Sequence, residues 1–175
     1  MSHGDFLTRL SVWLALAVAT LGIALRFEAQ HRPAWSGWAR WTWTVACGFF
    51  LIHVACAFHY FYQWSEAVAY SETARLTLAF TGMNWGGGLY FNYLFAALWL
   101  ADVLWWWFAP GSFSRRPHLL TVLWDGFFFF MVLNAAVIFV SGPKRWLGVF
   151  LCTALALLWW RNWRKRRFPV TGGAP

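Results

Sequence analysis

The chain has 175 residues, of which 61% are hydrophobic, 22% aromatic and only 11% charged, and its net charge is +8. Soluble domains contain about 45–50% apolar and about 25% charged residues, and a globule of this size lacks the interior to bury so much apolar surface. The composition therefore excludes a soluble domain, a disordered chain and a disulfide scaffold. It predicts an all-α integral membrane protein, because lipid offers the backbone no hydrogen-bond partners.

Five apolar segments are candidates for crossing a hydrocarbon core of about 30 Å as helices. They cover residues 10–27, 41–64, 89–109, 119–140 and 146–160. Pro110 ends the third segment, and a turn at Gly142 and Pro143 separates the fourth from the fifth. The fifth segment is short but has no polar face, so we expect it to cross. The sequence thus predicts a single membrane domain, residues 1–175, built as a bundle of about five transmembrane helices.

Residues 65–82, between the second and third spans, are too polar to cross. Ser65 is a favourable N-cap, Glu72 and Arg75 are spaced to pair on one helical face, and Gly82 suits a helix end. This pattern predicts a short external amphipathic helix. It is also the surface on which we expect a partner outside the membrane.

Most of the 16 Trp lie at or near the ends of the predicted spans or in the connections, and Trp43 and Trp106 are among them. Trp collects at headgroup depth because its ring is apolar while its N–H group can stay hydrated. We therefore expect these Trp to form two interfacial belts.

Ten of the fourteen Lys and Arg fall on one side of a five-span topology and four on the other. The positive-inside rule then places the C-terminus in the cytoplasm and the N-terminus outside, in the cell membrane, which is the inner membrane if the protein is bacterial. Five cations between Arg161 and Arg167 begin a basic cytoplasmic tail, residues 161–175, which we expect to attract anionic lipid. The tail contains no nucleic-acid-reading module, so nucleic-acid binding is not expected.

Two carboxylates lie at membrane depth, where each ionisable group is costly and usually has a partner. Asp102 and Asp125 are each on the order of 10 Å from the cytoplasmic ends of their helices. Either they share a proton, or Arg115, Arg116 or His118 neutralises them from the membrane edge. The pattern indicates a polar site formed by Asp102, Asp125 and His118. We favour a structural clamp between helices, with a proton or cation site as the alternative.

Further polar residues lie between mid-depth and the predicted outer surface: His53, His59, Gln63, Glu66, Asn92 and Asn134. His59, Gln63 and Glu66 lie at i, i+4 and i+7 and so share one helical face. We therefore expect an outward-facing polar cavity. A metal bound there lacks a clear third ligand, and no two His lie at matching depths for bis-His haem. We expect no cofactor, although haem with one axial His, quinone or a metal remains an alternative.

These observations favour a non-catalytic accessory or scaffold subunit that self-associates as a homo-oligomer or joins a membrane complex. The first alternative is a proton- or ion-coupled transporter that uses Asp102 and Asp125, but the sequence shows no internal repeat of the kind that many transporters contain. The second alternative is a membrane redox protein with haem, quinone or metal near His53, His59 and Glu66.

Overall fold

The computed structural model describes residues 3–138, 140 and 142–167, and this part of the chain contains helices and no strands. The helices are α1 (His3–Ala29), α2 (Ser36–Tyr60), α3 (Glu66–Thr81), α4 (Gly88–Phe108), α5 (Pro110–Ser114), α6 (His118–Leu133) and α7 (Lys144–Arg167), with a 3-10 turn at Pro33–Trp35 and a π-helical turn at Asn134–Ile138. Among the described residues, four helical segments are long and apolar enough to span a membrane: His3–Ala29, Pro33–Tyr60, Gly88–Phe108 and His118–Ile138. The prediction of an all-helical protein with several candidate membrane spans is confirmed.

Helices α1 and α2 form an antiparallel hairpin that small residues hold together at both ends. A Cβ atom added at Gly4 would collide with the Tyr60 side chain, and one added at Gly22 would lie 3.4 Å from the backbone nitrogen of Trp43. Glycine at these positions lets the two backbones approach closely. Helix α1 extends beyond the predicted span, residues 10–27, in both directions.

Helix α2 ends at Tyr60, four residues before the predicted end of the second span. Gln63 and Trp64 adopt left-handed backbone conformations, with φ of 49° and 59°, which a continuing α-helix does not allow. The helical face that we expected His59, Gln63 and Glu66 to share is therefore not formed. These residues belong instead to α2, to the connection and to α3.

Helix α3 occupies the segment predicted to form a short amphipathic helix. The Ser65 hydroxyl accepts a hydrogen bond from the backbone N–H of Val68 at 3.4 Å, and Gly82 ends the helix with φ of 78°. Arg75 pairs with Glu72 at 2.6 Å, one turn earlier on the same exposed face. The helix packs against α4, so it covers one end of the bundle, which we call the α3 end.

The opposite end contains the α1–α2 connection and α5, and we call it the basic end. Helix α4 agrees with the predicted third span to within one residue at each boundary. Pro110 begins α5, which turns the chain so that α6 runs back toward the α3 end. The fourth predicted span continues from α6 into the π-helical turn, a wider form of helix.

Helix α7 runs beside α6 and is longer than the predicted fifth segment, residues 146–160. A Cβ atom at Gly148 would collide with the carbonyl oxygen of Ala136 in the π-helical turn. At the basic end, Arg161 pairs with Glu28 of α1 at 3.3 Å. Helix α7 is not among the four span-like segments, so a fifth crossing stays a prediction. Residues 168–175 of the predicted basic tail lie outside the described residues.

An aromatic core fills the space between α2, α4 and α6. The Trp43 ring lies 5.1 Å from that of Trp99 and 5.2 Å from that of Phe128, measured between ring centroids. Trp43 is 2% exposed and Trp106 is 8% exposed. The prediction that these two Trp belong to an interfacial belt is wrong, because both lie on the faces along which the helices pack. Nearness to a helix end gives depth but not the direction in which a ring points.

Candidate functional site

Asp102 is the carboxylate at the centre of the candidate site. The buried face of α4 repeats at helical spacing through Phe95, Trp99, Asp102 and Trp106, so the helix that buries these rings also buries the carboxylate. The Asp102 side chain is 8% exposed. Its Oδ2 atom accepts a hydrogen bond from Trp43 Nε1 at 2.9 Å.

Arg116 neutralises this carboxylate. Its Nη1 atom donates to Asp102 Oδ1 at 2.7 Å, and the side chain of Arg116 is also 8% exposed. Phe113 of α5 stacks on Trp106 of α4, with ring centroids 4.7 Å apart. This contact holds the segment that contains Arg116 close to α4. The Arg116 guanidinium then lies 4.6 Å from the Phe113 ring centroid, and its Nε donates to the Thr121 hydroxyl at 3.0 Å. Thus α4, α5 and α6 together position one cation.

A second ion pair joins α1 to α6. Arg26 Nη2 donates to Asp125 Oδ1 at 2.7 Å, and the two side chains are 11% and 19% exposed. The guanidinium of Arg26 lies 5.6 Å from the ring centroid of Trp43, within the range of a cation–π contact. The close approach of the backbones at Gly22, one turn before Arg26, brings this cation next to the ring.

Trp43 connects the two pairs, because its N–H group binds Asp102 while Arg26 lies over its ring. We call this set of five residues, Arg26, Trp43, Asp102, Arg116 and Asp125, the polar clamp. Burial, followed by the neighbouring charge of Arg26, lowers the pKa of Arg116 despite the opposing effect of the two carboxylates. The two ion pairs are therefore close enough to influence each other. Together they tie α1, α2, α4, α6 and the α5 connection into one unit.

The sequence identified part of this arrangement. Of the three cations expected near the carboxylates, Arg116 binds Asp102, whereas Arg115 and His118 are exposed and hydrogen-bond neither Asp. The two carboxylates bind separate guanidinium groups and do not hydrogen-bond each other. Arg26 was missed as the partner of Asp125 because it was counted only as a topology cation. Its position close to a helix end, at a depth from which a long side chain reaches inward, was the available signal.

The outer polar residues are not brought together. His53 Nδ1 donates to the backbone carbonyl of Thr8 at 2.8 Å, which links α2 to α1, and Asn134 donates to the carbonyl of Phe130 in its own helix at 2.7 Å. The remaining four are exposed: His59, Gln63, Glu66 and Asn92. None of the six hydrogen-bonds another. Among the described residues, no group of three His, Cys, Asp or Glu is arranged to hold a metal ion.

A cavity of about 160 Å³ adjoins the clamp on the side facing α7. Asp125 and Trp43 contribute to its wall, together with Gly126 of α6 and Trp159 of α7. The rest of the lining is aliphatic or aromatic. The carboxylate is therefore the polar group that the structure presents to a mainly apolar space.

Comparison of the chain with known protein families, with curated proteins and with solved structures finds no match. An interpretation of function therefore rests on the polar clamp, the cavity beside it and the arrangement of the helices.

Proposed function

We propose that this protein is a non-catalytic polytopic membrane protein, an accessory or scaffold subunit whose polar clamp holds its helices in one arrangement. The main support for the proposal is that both Asp102 and Asp125 pair with Arg side chains of low exposure from other parts of the chain. A fixed bundle of this kind presents defined helix faces to a second copy of itself or to other membrane subunits.

The bonding of Asp102 supports a structural role over a transport role. A carboxylate that carries protons across a membrane has to bind and release a proton in each cycle, so its hydrogen-bond partners have to leave and return. Asp102 instead has both oxygens engaged, by Arg116 at 2.7 Å and Trp43 at 2.9 Å, in a site with little exposure. Charge-assisted hydrogen bonds of this length are the strong ones. Breaking them would leave a guanidinium without its counter-ion in an apolar surrounding.

For the topology, we propose five crossings with the N-terminus outside and the C-terminus in the cytoplasm, which in a bacterial cell places the protein in the inner membrane. The path of α7 supports the fifth crossing. Gly148 packs against the π-helical turn at the α3 end, and Arg161 pairs with Glu28 at the basic end. These two residues are separated by about 20 Å along a helix. With four crossings, the basic tail would lie on the side of the N-terminus, which would then carry nine of the fourteen cations, and the positive-inside rule would place both termini in the cytoplasm.

We further propose that the C-terminal end of α7 contacts anionic lipid on the cytoplasmic side. Arg164 lies 4.9 Å from the ring centroid of Trp160, and both Trp159 and Trp160 are about half exposed. Exposed Trp beside Arg is the composition expected at the headgroup layer, where each cation contributes about 1 kcal/mol of attraction to anionic lipid.

Proteoliposomes containing the purified full chain test the proposal against the transport alternative. A pH-sensitive dye trapped inside should report the same decay of an imposed pH gradient with the protein as in protein-free vesicles. The double variant Asp102→Asn/Asp125→Asn should behave as the wild type does. A matched control is Glu72→Gln, which removes a carboxylate from the exposed pair on α3.

Two results would overturn the proposal. One is a proton flux in the wild type that is lost in the double variant but kept in the control, with the helical content of all three proteins unchanged. The other is a visible absorption band from a tightly bound chromophore in the detergent-purified protein, which would point to redox chemistry. Copurification of the full chain with defined membrane subunits, or a stable homo-oligomer, is the expected positive result.

A further inference from the structure

We infer that the cavity beside Asp125 is a binding site for a neutral long-chain amphiphile whose head carries a hydroxyl group. Four elements line this partly open cavity: Ile23 and Phe27 of α1, Trp43 of α2, Gly126 of α6, and Trp159 of α7. Its volume of about 160 Å³ compares with the roughly 150 Å³ of an engineered cavity that binds benzene. It therefore has room for one ring or a short branched head.

Asp125 supplies the hydrogen-bond acceptor for this head. Its Oδ1 atom binds Arg26, but its Oδ2 atom accepts no hydrogen bond from the described part of the chain. Asp125 also lines the cavity and is 19% exposed. This oxygen is not fully buried and has no donor from the described residues, so a hydroxyl group in the cavity would provide it with a partner.

The charge balance at this end of the cavity selects a neutral ligand. Asp125 is already neutralised by Arg26, and the neighbouring Asp102 is neutralised by Arg116. A ligand cation or anion would add an unpaired charge to an apolar space, which costs several kcal/mol. A hydroxyl donor gains a charge-assisted hydrogen bond without adding a charge.

The space for the chain of the amphiphile lies in the cleft between α6 and α7. An open groove of about 480 Å³ follows this cleft, and Phe129 and Ala156 line both this groove and the cavity. The groove is lined mainly by apolar side chains, including Leu133, Val137 and Leu157. A ligand with its hydroxyl group at Asp125 can thus extend its chain along the cleft toward the π-helical turn.

The test uses 4-dodecylphenol as the probe and its methyl ether as the matched ligand. In the ether a methyl group replaces the hydroxyl hydrogen, so the ether keeps the ring and the chain but has no donor for Asp125. Native mass spectrometry of the full-length protein in detergent counts the bound probe at increasing concentration. We expect one phenol per chain, bound about tenfold more tightly than the ether, because a hydrogen bond to a charged group has this effect or a larger one.

A cavity-filling variant tests the position of the site without disturbing the ion pair. A Cβ atom added at Gly126 meets nothing within 4 Å, and this residue lines the cavity, so Gly126→Leu should fill the space and reduce phenol affinity at least tenfold. Gly48→Leu is the matched control, because Gly48 lies within α2, meets nothing within 4 Å either and is not part of the cavity wall.

Retained affinity in the Gly126→Leu variant would overturn the inference, as would equal affinity for the phenol and the ether, which would indicate apolar partitioning alone. Loss of binding in Gly48→Leu as well would show that the effect is not specific to the cavity and would also contradict the proposed site. The inference is independent of the scaffold role. A protein that shows no proton flux and binds the phenol fits both proposals, whereas flux without phenol binding contradicts both.

Discussion

The ion pair between Asp102 and Arg116 allows the clearest test of the polar clamp. Removing one partner of a buried pair costs about 3–5 kcal/mol, because the remaining charge stays buried without its counter-ion. In the Asp102→Asn variant, the amide oxygen can still accept from Trp43, and Arg116 keeps its hydrogen bond to Thr121. We therefore expect a loss at the lower end, about 3 kcal/mol in the free energy of unfolding.

The double variant Asp102→Asn/Arg116→Met separates charge from shape. Met is about as long as Arg and leaves no charge behind, so we expect it to restore about 2 kcal/mol of the loss. Unfolding in mixed micelles with an increasing fraction of SDS, followed by circular dichroism, measures both values. Glu72→Gln, in the exposed pair on α3, is the control and should change the midpoint little. A double variant that is no more stable than Asp102→Asn alone would refute the clamp. A loss of stability in the control equal to that in Asp102→Asn would refute it as well.

Three further predictions concern other parts of the molecule. Gly148→Leu should detach α7 from the π-helical turn, because the added side chain would collide with the Ala136 carbonyl, and limited proteolysis should then cleave near residues 142–148 faster than in the wild type. The hydrogen bond from Arg75 lowers the pKa of Glu72, so their ion pair should be lost at a lower pH than the usual pKa of a Glu side chain. Carboxyl NMR should show that this pKa shift disappears in Arg75→Gln. A reporter enzyme fused after Arg167 should be active in the cytoplasm, and activity outside would contradict the five-span topology.

The sequence predicted the helical class, the third span and the short helix α3 closely, because these depend on local signals. Length and apolar content identify a span, while a capping Ser65 and a left-handed Gly82 mark the ends of α3. The end of α2 was misjudged because the apolar composition continues past the last helical residue. The residue types of Gln63 and Trp64 do not indicate their positive φ angles, which are uncommon for residues other than Gly.

The partners within the site were harder to predict than its two carboxylates. Asp102 and Asp125 were selected because charge is rare in the spans, and depth could be counted along each helix. Their partners depend on which helices are neighbours, which no local pattern gives. Trp43 illustrates the difficulty: its distance from a helix end suggested an interfacial residue, yet its ring is the element shared by both ion pairs.

In the topology that we propose, the arginines of the basic end have two functions. A cation near the cytoplasmic end of a span sets the orientation of the chain during insertion, and acidic residues contribute little to that rule. Arg26 and Arg116 can therefore direct insertion first and bind Asp125 and Asp102 once the helices pack. A Lys at either position would keep the topology signal but lose donors: at Arg116 the guanidinium binds Asp102 and Thr121 through different nitrogens. Arg116→Lys should thus leave orientation unchanged and weaken the clamp, which separates the two functions within one residue.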